Sequence, residues 1–92
     1  MKSIAQQKAR DAFDAVPEDI RGGDLFDALL WAKNTLARKE GAGHLFHVIA
    51  TTDRQFQCSF AKPEWGGDHC SEPMDTAEEA IIMAVCEYLN GV

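Results

Sequence analysis

Basic side chains are scarce in the second half of this chain. Residues 44–92 carry eight acidic groups but only Arg54 and Lys62 as fixed cations, whereas residues 1–43 balance seven acids against seven bases. All six units of net negative charge therefore lie after residue 43. Such a field repels nucleic acid and attracts basic surfaces. The small basic group Lys33, Arg38 and Lys39 reads as a solvated helix end rather than a phosphate-binding patch.

Other shortages exclude other classes. The opening residues MKSIAQQKAR hold no apolar stretch of the kind a secretory signal needs, and no segment approaches the length of a membrane span. A cytoplasmic protein without membrane partners is the expectation. Three cysteines, Cys58, Cys70 and Cys86, include no CxxC pair, and an odd number closes no complete disulfide framework. They read as reduced thiols. Gly66-Gly67 precedes no helix and is followed by no lysine, so no phosphate loop is present.

What is present suits a single folded domain. Apolar residues make up 46% of the 92, enough for one modest core. Residues 3–16 place Ile4, Ala9, Ala12, Phe13 and Val16 on a helical stripe that Ser3 can cap. Pro17 pushes Val16 out of helical geometry, so residues 17–23 read as a loop or short turn with Ile20 inward. A second helix is predicted from Asp24 as N-cap to about Lys39. Its apolar face is read as Leu25, Phe26, Leu29, Leu30, Ala32, Leu36 and Ala37, with Trp31 packing beside it. Gly41 and Gly43 stop it.

The period changes at His44. Residues 44–52 (HLFHVIATT) read as a strand, and residues 55–61 (QFQCSFA) alternate cleanly. Phe56, Cys58 and Phe60 are expected on a buried face; Gln55, Gln57, Ser59 and Ala61 are expected on a wet one. A short connection makes the pair a hairpin. A third strand is expected at about residues 68–71 within a Pro- and Gly-punctuated stretch. Thr76-Ala77-Glu78-Glu79 is a capping box, with Asp75 as the alternative cap. The helix it starts buries Ala77, Ala80, Ile81, Ala84, Val85, Tyr88 and Leu89 and ends at Asn90-Gly91. The expected fold is α+β: two N-terminal helices, an antiparallel sheet of two or three strands, and a C-terminal helix packed on it.

Candidate chemistry is thin. His44 and His47 lie an odd number apart on a strand and so point to opposite faces, while His69 and Cys70 are adjacent; no four-ligand metal spacing remains. Cys70 beside His69 invites thiol catalysis, but acidic surroundings raise a thiol pKa, and no third catalytic member is evident. Asp75, Glu78 and Glu79 are explained by the helix start rather than by acid–base work. No catalytic residue, metal or cofactor is assigned.

The residues left for recognition are Glu64, Trp65, Asp68 and Glu72. Residues 64–79 hold Glu64, Asp68, Glu72, Asp75, Glu78 and Glu79 and no Lys or Arg. Trp65 in this loop has the composition of a protein-binding anchor with a polar rim, or else its ring covers the core edge.

From about residue 44 to 89, the strand–hairpin–strand order, the polar loop and DTAEEAIIMAVCEYL resemble small phage-encoded proteins of the α–β–α sandwich type. The motif carrying the likeness is Thr76-Ala77 followed by Ala80-Ile81 and Ala84. That resemblance implies a host-interacting accessory protein. Small acidic phage proteins of this kind include the anti-CRISPR inhibitors, several of which occupy basic surfaces that an effector uses for DNA. The resulting expectation is a non-enzymatic inhibitor, in the host cytoplasm, of a protein or ribonucleoprotein complex with a basic surface. The alternatives are a homodimeric structural or regulatory module joined through an open sheet edge, and a small thiol- or metal-dependent enzyme.

Overall fold

A computed structural model describes residues 3–92. Its first helix, α1 (Ile4–Ala15), starts in a complete capping box. Ser3 Oγ accepts from the Gln6 N–H at 3.1 Å, and Gln6 Oε1 accepts from the Ser3 N–H at 3.0 Å. Val16 ends the helix in extended geometry, as a residue before proline should. The segment after Pro17 forms a single helical turn, α2 (Glu18–Arg21), with Ile20 half-buried. Asp24 then caps α3 (Leu25–Glu40) by accepting from the Asp27 N–H at 2.9 Å.

Three strands follow, β1 (Leu45–Ala50), β2 (Phe56–Ala61) and β3 (His69–Cys70), in the antiparallel order β1-β2-β3. The β1–β2 register pairs Leu45 with Ala61 and Ala50 with Phe56. Arg54 closes the hairpin at φ 59°, a left-handed conformation that side chains other than glycine rarely adopt. Beyond β3, residues 71–74 return to β2 through one extra residue: Ser71 donates to Cys58 O at 2.8 Å, and Met74 to Phe56 O at 2.8 Å. Buried Ser71 satisfies the kink, accepting the Cys58 N–H and donating to Glu72 O.

The last helix, α4 (Ala77–Leu89), is capped by Thr76 rather than Asp75. Thr76 Oγ1 accepts the Glu79 N–H at 3.1 Å, and Glu79 Oε1 answers on the Thr76 hydroxyl at 3.2 Å. The molecule is thus α+β, with the C-terminal helix against the sheet.

One face of the sheet lies on α4, and α1 and α3 pack on α4 with no close backbone approach to the strands. The layering is therefore sheet, central helix, outer helices; among the described residues no helix covers the second face of the sheet. Every residue from 80 to 87 is buried, so α4 is enclosed all round rather than along one stripe. Ile82, Met83, Cys86 and Glu87 join the face read from periodicity.

Enclosing α4 leaves less cover for its neighbours. The inner row of α3 is Ala28, Ala32 and Leu36, at four-residue spacing, with Leu29 and Trp31 packed beside it. Leu25, Phe26 and Leu30 are instead exposed, Phe26 at 70%, because only α4 and the single turn of α2 pack against α3. Ala37 is exposed as well. Ile4 is likewise exposed at the start of α1. Ser59, expected on a wet face, is buried: it is central in the middle strand, between His47 and Cys70, beside the returning 62–68 loop.

Phe60 is the junction of sheet and helices. It is 1% exposed and meets the rings of His44, Phe46, Trp65, His69 and Tyr88 at centroid distances of 5.3–6.0 Å. Replacing it by alanine (Phe60→Ala) is expected to lower the unfolding free energy by about 3–5 kcal/mol. Urea titration checks this, and a loss near zero would contradict the packing of β2 on α4.

Candidate functional site

The loop between β2 and β3 is built by its own sequence. Pro63 occupies the second position of a turn in which the Trp65 N–H donates to Lys62 O at 2.9 Å. The turn exposes Glu64 at its tip and folds Trp65 back onto the protein. The indole stacks on Tyr88 with centroids 5.3 Å apart, stands edge-on to His44 at 5.5 Å, and lies 6.0 Å from Phe60. Trp65 is thus half-buried against the core, the cover role rather than that of a free anchor.

The base of this cluster is held by Glu40 at the end of α3. Its carboxylate accepts from the Tyr88 hydroxyl at 2.7 Å and from His44 Nε2 at 2.8 Å. Burial alone would raise the Glu40 pKa, but these two hydrogen bonds, with the nearby His44 and Lys62, hold it below the ordinary carboxylate value. The hydrogen bond to Glu40 pushes the Tyr88 phenol the other way, upward. Lys62 Nζ donates to Glu40 O at 3.0 Å, capping the carbonyl end of α3. One of the two cations of the second half is thereby engaged.

The four residues proposed for recognition do not assemble as one set. Glu64, Trp65 and Asp68 share the 62–68 loop, where Glu64 and Asp68 are exposed and form no ion pair among the described residues. Glu72 lies beyond β3 and is bound to Arg10 of α1 at 3.0 Å. Of the other acids in this stretch, Asp75 accepts from Gln55 Nε2 at 3.3 Å and Glu79 belongs to the α4 cap. Glu78, read as part of that cap, makes no side-chain hydrogen bond among the described residues. A groove of about 340 Å³ runs beside the loop, bordered by Leu45, His47, Ser59, Trp65, Gly66 and Asp68.

A second polar cluster lies under β3. Glu87 is 6% exposed; its Oε1 accepts the Glu72 N–H at 3.3 Å and lies 3.9 Å from His69 Nε2. That separation is too long for a hydrogen bond, and His69 Nε2 is buried without one among the described residues. Burial pushes the Glu87 carboxyl up to about 6; the Glu72 charge also raises it, while the Glu72 N–H and Arg10 oppose the rise. Burial lowers the His69 pKa. Sequence reading passed over Glu87, although a signal was present: it follows Ala80 by seven and Ala84 by three, on an apolar helix face.

The histidines and thiols fall apart in space. His44 is buried beneath Trp65, whereas His47 is exposed on the uncovered sheet face. His69 pairs with Phe60 and Cys70 with Ser59, so these neighbours occupy opposite faces. Among the described residues no three His, Cys, Asp or Glu side chains converge as metal ligands. The Cys70 thiol is exposed, but partial burial and the charges of Glu87 and Asp68 raise its pKa. Burial pushes Cys58 and Cys86 up to about 12.

Comparison with protein-family models, with curated proteins and with solved structures finds no match for the chain.

Two outcomes are expected. In native protein near neutral pH, a thiol-specific reagent should modify Cys70 slowly and leave Cys58 and Cys86 untouched until denaturant is added. Rapid labelling of Cys70 would contradict its acidic, proton-retaining surroundings. For Glu87, the raised folded-state pKa means that its stabilising contribution is complete below about 4.5 and is lost as pH rises through about 6. Glu87→Gln should therefore be more stable than the parent by about 2 kcal/mol at neutral pH, and equal to it near the low end of that window. Denaturant titrations across this range check the convergence.

Proposed function

We propose that the chain is a non-enzymatic binding protein that docks on a basic, nucleic-acid-binding surface of a host protein or ribonucleoprotein complex. In its most specific form it is an inhibitor of the anti-CRISPR kind. One observation carries the reading: Glu64 and Asp68 are exposed, with no ion pair among the described residues, on a loop whose shape is set by Pro63 and the stacked Trp65. A preshaped acidic loop loses little conformational freedom on docking, and the surplus charge of residues 44–92 steers the encounter.

Within this reading the docking residues are Glu64, Asp68 and the exposed rim of Trp65. Glu72 is left to its structural partner Arg10. The face that repels nucleic acid is the face that displaces it from a basic groove.

The test is competition for DNA. Purified CRISPR effector complexes are loaded with labelled DNA, and displacement by the chain is measured at increasing salt. Displacement should weaken with salt, and Glu64→Lys with Asp68→Lys should lower affinity by about tenfold or more. Glu72→Gln should leave affinity within about twofold. Absence of displacement removes the anti-CRISPR form. Displacement that the double reversal leaves unchanged removes the loop as the docking element.

A further inference from the structure

The sheet ends in β1, and the direction of its free main-chain groups follows from the hydrogen bonds. Thr51 donates to Gln55 O at 2.8 Å, continuing the β1–β2 register, so Leu45, His47 and Ile49 turn their N–H and C=O groups toward β2. On β2, Phe56 and Cys58 turn theirs toward β3 and the returning chain. The N–H and C=O groups of Phe46, Val48 and Ala50 therefore point out of the sheet at its open edge.

Native edges are usually blunted by charge, proline or a bulge. This one has none of the three: residues 44–52 contain no Asp, Glu, Lys, Arg or Pro, and β1 pairs without interruption. Its side chains are exposed on both faces, Leu45 at 62%, Ile49 at 51% and Val48 at 41%.

We propose that β1 pairs antiparallel with β1 of a second copy, about a two-fold axis normal to the sheet that passes midway between the two His47 residues, joining three strands from each copy into one continuous sheet. Three observations favour a second copy over a foreign strand. The segment is self-complementary about His47. Reversal sets Leu45 opposite Ile49 of the second copy on the uncovered face, and Phe46 opposite Val48 of the second copy on the α4 face. The pair Phe46 and Val48 is also the one whose main-chain groups are free to bond, so the side-chain match and the hydrogen-bond phase agree.

Charge is the third observation. Each copy carries a net charge of −6, so a self-contact needs a seam without fixed like charges, and β1 provides it. This assembly is independent of the function proposed above.

Sedimentation of the intact protein from micromolar to submillimolar concentration should show a monomer–dimer equilibrium. Ile49→Lys places a charge in the seam at a position exposed in the monomer; it should weaken the dimer by about tenfold or more with unchanged circular dichroism. The register is read by oxidation in a Cys70→Ser background. There His47→Cys should cross-link to its counterpart as a directly opposed, non-hydrogen-bonded pair, while Ile49→Cys, facing Leu45, should not. A monomer at every concentration overturns the proposal. So does a dimer indifferent to Ile49→Lys, or one in which Ile49→Cys cross-links and His47→Cys does not.

Discussion

The complete enclosure of α4 is the constraint on which the other elements depend. A helix buried on every side needs neighbours on every side. The sheet supplies Cys58 and Phe60, α1 supplies Ala9 and Phe13, and α3 supplies Ala28, Ala32 and Leu36. Small residues on the facing helices, with Ala80 and Ala84 on α4 itself, allow the backbones to approach closely. Among the described residues no element is left to form a further layer. The outer side of α3 and the second face of the sheet are consequently open, which is why Phe26, Leu30, Leu45 and Ile49 stay exposed.

Local signals in the sequence located the long helices and the strands to within a residue or two, but read the single turn of α2 as a loop or short turn. Asp24, Thr76 and Ser3 cap because their side-chain oxygens meet amides three residues on, a geometry contained in a few residues. The alternation of Phe56, Cys58 and Phe60 likewise identified the face of β2 that meets α4, with Phe56 only half-buried at its end. Periodicity failed where burial depends on how many neighbours an element has. It assigned one face to α4, which has neighbours all round, and a wide face to α3, which has a narrow one. It placed Ser59 in water because alternation cannot foresee the 62–68 loop returning beside the middle strand.

The candidate site divides in the same way. Pro63 and Trp65 announce a turn with an aromatic, and the turn is there. The stacking of Trp65 on Tyr88 and the pairing of Glu72 with Arg10 join residues far apart in sequence, so composition grouped Glu72 with a loop it does not belong to. Two surfaces remain open, an acidic loop braced from within and an uncharged strand edge. They differ in chemistry, one acting through charge at a distance and the other through short main-chain bonds, and an assembly can use both.

Amide hydrogen exchange tests the enclosure of α4 most directly. If sheet and outer helices are stabilised only by closing around it, the amides of residues 80–87 exchange by global unfolding alone, and their exchange free energy equals that from denaturant titration. The slowest amides of α3 and β2 then approach the same value. Exchange of residues 80–87 through openings well below the global free energy, or a sheet that stays protected while α4 exchanges, would contradict the account.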